Sequence, residues 1–388
     1  MNKRLIDVTN KALKAKIWEF LSSNDILAIE IDGVRYFIYC SNTEIPLSIR
    51  VLKGEQELKT LTSLFELDDE NKNDIENFES FMSLECLELS LFLPVDMEED
   101  TENEIKNQGF DIKDQSYNPL FSVAEKNTLR RNLRADEELL FATILDSLIK
   151  AKNFFSKFGK NSATSSFQLW FDSLKLKDSD KIDYIPLAKI NENEITFVAE
   201  PFDWFQLAPK NEDLPLIEIP SPMVEEVKKA KKNVGDIYDF EIYLLPAPFV
   251  KEEGGKPKYP YAFLLTNKKT KEIVDLQLEF NLLNEMQVYP VIILDLLSKQ
   301  GKPEAIHCYS KRSFNYLSGV LKDCNINIMK DTMEDEYIDF ATQLPHLLQV
   351  GKTEAEHTEK TLDDTCDKDH SCSCSDDDGS CGCDDCGC

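Results

Sequence analysis

Between Gln206 and Pro222 the chain reads QLAPKNEDLPLIEIPSP, with four prolines in seventeen residues. Proline lacks the amide hydrogen and has a fixed φ, so neither a helix interior nor a central strand runs through such a stretch. Regular structure has to stop before it and restart after it. At 388 residues the chain is long enough for a core on each side. The expected organisation is a domain over residues 1–210, a second over 222–348, and a tail over 351–388.

The N-terminal part mixes periods. Leu5, Val8, Ala12, Ala15 and Leu21 recur at helical spacing, with Trp18 beside them. Ile26–Ile31 and Arg35–Cys40 read as strands joined at Asp32-Gly33, a strong hairpin signal. Pro46–Leu52 reads as a third strand and Glu55–Phe65 as a helix. Residues 67–80 are acidic and poorly periodic, which predicts a loop with at most a short helix. A strand over Cys86–Pro94, a polar helix over Glu98–Gln108 and an extended segment at Tyr117–Val123 follow. Ala135–Phe158 is the longest helical pattern, with Asp136, Glu137 and Glu138 in its first turn and Lys157 before Gly159. Phe167–Phe171 and Ile195–Ala199 are read as further strands. The class expected here is α+β.

After the prolines, a helix over Met223–Lys232 precedes a regular alternation. Strands are expected at Ile237–Leu245, Tyr261–Leu265 and Ile273–Phe280, then a helix over Leu283–Leu297 interrupted at Pro290. A strand at Ala305–Cys308, a helix at Phe314–Leu321, a strand at Ile326–Met329 and a helix at Asp335–Leu348 complete it. The order β-β-β-α-β-α-β-α implies an α/β domain with a mixed sheet covered by helices.

The net charge of −28 argues against duplex nucleic acid as a partner, because binding it needs clustered cations. Arg130, Arg131 and Arg134 are the best local candidate and read as the solvated start of a helix. The N-terminus has no apolar signal core, and no run approaches a membrane span. The expected location is therefore the cytosol, where thiols stay reduced. Cys40, Cys86, Cys308 and Cys324 are scattered among apolar residues and read as buried structural thiols. Nucleotide and nucleophile motifs are missing: there is no G-x-S-x-G, G-x-x-x-x-G-K-[ST] or G-x-G-x-x-G. Gly254-Gly255 reads as a flexible turn, and His307 and His346 as packed or surface residues.

The end of the chain is chemically explicit. Residues 351–365 form a charged spacer, expected to be disordered. Residues 366–388 then place Cys366, Cys372, Cys374, Cys381, Cys383, Cys386 and Cys388 with His370 among them. Three Cys-x-Cys pairs with no apolar residue around them are not a packing pattern. Cys383-x2-Cys386 has the spacing of structural zinc knuckles, and the interspersed glycines let the backbone wrap an ion. Seven thiolates and one imidazole make eight ligands, enough for about two tetrahedral zinc ions. Such soft donors select Zn²⁺, Cu⁺ or Cd²⁺ over Mg²⁺ or Ca²⁺. The tail is also a candidate docking segment for a protein partner.

The order over residues 237–348 resembles the ribonuclease-H-like fold of nucleases, integrases and transposases. The stretch GKPEAIHCYSKRSFNYLSGVLKDCNINI (301–328) is similar in phrasing to the strand-helix-strand of those enzymes. The chain also resembles an uncharacterised bacterial two-domain family whose N-terminal domain carries a "pWewl" motif, matched here by Ile17-Trp18-Glu19-Phe20-Leu21. Members of that family often end in a zinc motif of the SEC-C type. Cys372-x-Cys374 is similar to that motif but lacks its basic residues and paired end, and the cysteine rhythm is similar to metallothionein. The ribonuclease-H resemblance implies carboxylates gathered around two Mg²⁺ ions. Asp239 and Glu241 on the first strand, Glu285 near the first helix, and Glu334, Asp335 and Asp339 by the last helix are the acids at hand. Where the fourth strand of that family delivers an aspartate, this chain has Cys308, Tyr309 and Ser310. The expectation is a non-enzymatic version of the fold used for binding, with a metal-binding tail. A Mg²⁺-dependent nuclease with relocated carboxylates and an adaptor without metal are the alternatives.

Overall fold

The computed structural model describes residues 1–346, except 22–24, 42–45, 66–73, 114–115, 160–164, 177–182, 192–193, 205–216, 218, 251–254 and 334–336. Much of the proline-rich stretch and the whole cysteine-rich tail therefore lie outside the described residues. The chain divides into a unit over Met1–Asp339 and one over Phe340–Cys388. In the second unit, residues 340–346 are helical.

The first unit holds two mixed sheets. A seven-stranded sheet is built from β1 (Ile26–Ile31), β2 (Val34–Ser41), β3 (Leu47–Lys53), β4 (Cys86–Phe92), β5 (Asn118–Ala124), β6 (Asp183–Asn191) and β7 (Glu194–Phe202), in the order β5-β4-β3-β2-β1-β6-β7. Its first hairpin closes with Ile31 opposite Val34. Asp32 and Gly33 sit there at φ 50° and 75°, the left-handed region that a two-residue turn demands. Only β1 and β6 pair in parallel. The parallel register begins at Leu187, one residue past Pro186, so the missing amide interrupts no bond to β1. That proline is why β6 is hard to see in the sequence.

Alternation sends Ile29, Ile38, Ile49, Leu89 and Phe121 to one face of this sheet. There α1 (Lys3–Ala15) and α5 (Ala135–Phe155) cover them. On the other face, Phe37, Leu52 and Cys86 pack with Leu58 and Leu61 of α2 (Gly54–Phe65). The acidic segment contributes α3 (Asp74–Met82), and α4 (Glu99–Asn107) follows β4. The expected strand at 167–171 is instead part of α6 (Ser166–Leu174). Phe167 and Trp170 lie three apart and are both buried, and the Ser165 hydroxyl accepts from Gln168 N to cap the first turn. Five residues rich in aromatics fit either period, and the cap decides.

The second sheet comprises β8 (Ile237–Leu244), β9 (Tyr261–Asn267), β10 (Ile273–Glu279), β11 (Ala305–Cys308) and β12 (Asn327–Lys330), ordered β10-β9-β8-β11-β12. β8, β10, β11 and β12 run the same way, and β9 alone runs against them, antiparallel to both β8 and β10. The helix α7 (Ser221–Lys229) precedes the sheet. Phe240, Ile242 and Leu244 pack with Tyr289 and Ile293 of α8 (Leu282–Gln300) and with Tyr316 and Leu317 of α9 (Lys311–Val320). Pro290 does not interrupt α8. Its absent amide deprives Met286 O of its helical donor, and the Tyr316 hydroxyl donates to that oxygen at 3.0 Å. The two sheets meet through α3. There Arg312 Nη1 donates to both carboxylate oxygens of Glu79 at 2.8 and 3.0 Å, and Phe78 meets Tyr259 edge to face at 5.4 Å.

Candidate functional site

Strand alternation in β8 separates its apolar residues, which pack on α8 and the body of α9, from Asp239, Glu241 and Tyr243 on the other face. In open sheets the carboxyl ends of parallel strands are where ligands are bound. Asp239 and Glu241 stand beside those ends, and both are almost completely buried.

Asp239 pairs in register with Thr266 of β9 and His307 of β11. Neither of its carboxylate oxygens makes a well-formed hydrogen bond, and the Tyr309 hydroxyl is the side-chain donor that faces it. Its nearest cation is Lys268, whose Nζ lies 4.0 Å from Oδ1. The same ammonium is 3.6 Å from Asp331 Oδ2 and 3.3 Å from His307 Nδ1, and it lies 5.9 Å over the Tyr309 ring. His307 Nδ1 is in turn 2.9 Å from Asp331 Oδ2. Burial pushes the Asp239 carboxyl above its ordinary range, and the Tyr309 hydroxyl and Lys268 oppose that shift.

Glu241 is engaged elsewhere. Its Oε2 accepts from the amides of Tyr309 and Ser310 at 3.0 and 3.1 Å, and its Oε1 accepts from the Ser313 hydroxyl at 2.6 Å. These donors surround the start of α9, where the helix dipole favours an anion. The position open to a phosphate in other sheets of this kind is filled here by the chain's own carboxylate. Burial still raises the Glu241 pKa, with the Ser310 and Ser313 donors pulling the other way.

Glu285 belongs to another cluster. Its pKa is raised by burial and then by Glu279 and Asp275 of the β10 edge. Asp339 lies in the helical residues 337–346, and Glu334 and Asp335 fall outside the described residues. Among the described residues, no group of three or more His, Cys, Asp or Glu is placed to hold one metal ion. The described carboxylates singled out in the sequence are thus not brought together. Cys366, His370, Cys372, Cys374, Cys381, Cys383, Cys386 and Cys388 all lie outside the described residues. The four other cysteines are buried free thiols, and burial pushes Cys86 up to about 12 and Cys308 higher still. Those two are protonated and unreactive at neutral pH.

Sequence reading missed Lys268 and Asp331. Parity could have found both. Thr266 faces Asp239, so Lys268, two residues on, extends on the same side. His307 pairs with Met329, so Asp331 continues that face beyond β12.

Residues 3–168 match the family model of a domain of unknown function, DUF7309, and residues 223–339 match that of another, DUF6930. Together they support an uncharacterised two-domain family. No curated protein matches the chain. Asp239, Glu241, Lys268, His307 and Asp331 all fall within the DUF6930 match, and Glu125, Arg131 and Glu137 within the DUF7309 match. Among the described residues no helix is long and apolar enough to cross a membrane.

Proposed function

We propose that this is a non-enzymatic cytosolic protein. Its DUF6930 region serves as a ribonuclease-H-like scaffold for binding, and its C-terminal tail takes up a soft metal, zinc first. The strand order β10-β9-β8-β11-β12, with only β9 running against the other four, supports the likeness in topology. The observation that carries the non-enzymatic reading is Lys268. A nuclease of that fold must gather Mg²⁺ on its strand-end carboxylates. Here an ammonium already stands among Asp239, Asp331 and His307. A unit charge repels another at 4 Å by about 4 kcal/mol at a dielectric of about 20, and a dication by about twice that. Glu241 is withdrawn into the α9 cap. The donor set does not fit a pair of divalent ions.

The tail fits a soft metal on donor chemistry. Cys366, Cys372, Cys374, Cys381, Cys383, Cys386 and Cys388 with His370 would hold it, and the ion would supply a structural cross-link in a segment that has no apolar residues to fold around. A protein partner docking on the metal-loaded tail follows from the same reading. Elemental analysis of protein purified without added metal tests it. The full chain is expected to carry about two zinc ions more than a chain ending at Val350. Equal metal content would leave the tail as an adaptor without metal. Divalent-dependent nuclease activity that disappears in Asp239→Ala would overturn the non-enzymatic reading.

A further inference from the structure

The helix α8 is apolar on more sides than the five-stranded sheet covers. Met286, Tyr289, Ile293 and Leu297 are buried in the core of that sheet. On the outward side Val288 and Val291 remain 53% and 45% exposed, with Ile292 half-buried next to them. A helix with apolar residues all round is normally covered all round. The outward residues also follow a regular spacing. Glu285, Val288, Ile292, Asp295 and Lys299 recur at intervals of three, four, three and four, which lines them up as the seam of a two-helix pair.

This seam runs from an acid to a base. At its start Glu285 stands beside β10, the edge strand of the sheet. Asp275 and Glu279 of β10 pair with Leu265 and Tyr261, which belong to the core under α8, so both acids lie on the α8 side. Burial, then Glu279 and Asp275, push the Glu285 carboxyl above its ordinary range, and no cation among the described residues opposes them. The fully buried Tyr289 hydroxyl faces Asp275, yet neither it nor Asp275 Oδ2 makes a well-formed hydrogen bond. At the other end Lys299, 71% exposed, pairs with Asp295 one turn back at 2.7 Å.

We infer that two copies of this chain associate through α8, antiparallel across a two-fold axis at Ile292. Glu285 and Lys299 are each seven residues from Ile292. The axis therefore brings Glu285 of one copy abreast of Lys299 of the second, and does so at both ends. Ile292 meets its counterpart at the centre, flanked by Val288. Lys299 of the second copy supplies a cation to the acids around Glu285. A parallel pairing would instead set acid on acid and lysine on lysine, so charge selects the antiparallel one. The seam is short and its ends are charged, which makes the association weak and reversible. Neither the cysteine-rich tail nor the β8 face takes part.

Sedimentation velocity of the full chain at concentrations up to about 200 μM tests this. Reductant and chelator are present throughout, so that neither disulfide nor metal can bridge two tails. A monomer–dimer equilibrium with a Kd on the order of tens of micromolar is expected. Val288→Asp should weaken it about tenfold or more. Lys299→Glu and Glu285→Lys each set like charges abreast at both ends, and each should weaken it about tenfold or more. An equimolar mixture of those two variants should associate with near wild-type affinity, because every abreast pair is again of opposite sign. Rescue between two different chains separates a contact between copies from damage to the fold. A wild-type chain that stays monomeric at about 200 μM overturns the inference. So does a dimer that Val288→Asp and Lys299→Glu leave unweakened, or a mixture that associates no better than its components.

Discussion

The carboxylates at the start of α5 and those on β8 are held in opposite ways. At the start of α5, Arg131 donates from Nη1 and Nη2 to the two oxygens of Glu137 at 2.8 and 2.7 Å, and from Nε to Glu125 at 2.6 Å. Glu137 also accepts from Arg134 N and so caps the helix. The Arg131 hydrogen bond is the largest cause holding both acids below their ordinary range. On β8, by contrast, burial is the largest cause and holds Asp239 and Glu241 above theirs. The first group gains more from its partners than it loses in hydration. The second is dominated by what it loses, although Glu241 has three donors and Asp239 has a nearby lysine. A chain with a net charge of −28 thus sets arginines against the acids at the start of α5 and buries those of β8.

Glu241 gives the largest test of that contrast. Glu241→Ala leaves two amides and a hydroxyl at the start of α9 without their acceptor, and should cost about 3 kcal/mol in urea unfolding. Asp239→Asn removes a buried charge that makes no well-formed hydrogen bond, and should be neutral or stabilising near neutral pH. If both substitutions cost the same, the two acids do not play the different parts assigned to them. Arg131→Ala should cost about 2 kcal/mol, because its pairing with Glu137 is bidentate and both side chains are mostly buried.

Acid titration separates the two groups by sign. Glu125 and Glu137 are stronger acids folded than unfolded. Their contribution is complete above the unfolded value of 4.5 and is lost as pH falls through their folded values. Asp239 and Glu241 are weaker acids folded. Keeping them charged costs stability above their folded values, and that cost disappears as pH falls toward the unfolded values of 3.8 and 4.5. Any advantage of Asp239→Asn over the wild type should therefore shrink on acidification and be gone by about pH 4. The deficit of Arg131→Ala should also shrink, but only below 4.5, where Glu125 and Glu137 begin to protonate. Urea midpoints of the three proteins across pH would show it. An advantage of Asp239→Asn that grows on acidification would reverse the assignment for the β8 acids.

The two regions differ in how far the sequence alone exposes them. The α5 start is legible in its local ingredients, acids in the first turn with arginines before it, but Arg131, read as solvated, is mostly buried against Glu137 six residues on. The strands of the second sheet are legible as apolar runs, and their order follows from alternation with helices. What Glu241 and Lys268 do is not, because their partners lie 68 to 72 residues away at the start of α9 and 39 residues away on β11. Register between strands sets those meetings, and local pattern does not encode register. The helix over residues 166–174, Pro186 within β6 and Pro290 within α8 share a different cause. In each, a single hydrogen bond, supplied by a neighbour or made unnecessary by the register, overrides the local rule.

The smallest effect is expected at Pro290, and it supplies the uncharged reference for the comparison. Tyr316→Phe deletes the donor to Met286 O and should cost about 1 kcal/mol. Pro290→Ala restores an amide that can donate to the same oxygen within α8, so Tyr316→Phe should cost measurably less in that background. The coupling between the two substitutions, read from a double-mutant cycle in urea, isolates this one bond. Because burial keeps the Tyr316 hydroxyl protonated far above its ordinary value, the coupling should be flat from acid to neutral pH. A coupling that moved with pH would mean that an acid senses this bond: if Glu285→Gln, in the first turn of α8, did not flatten it, the β8 acids would be reaching α8 and the separation between the charged β8 face and its apolar opposite would fail.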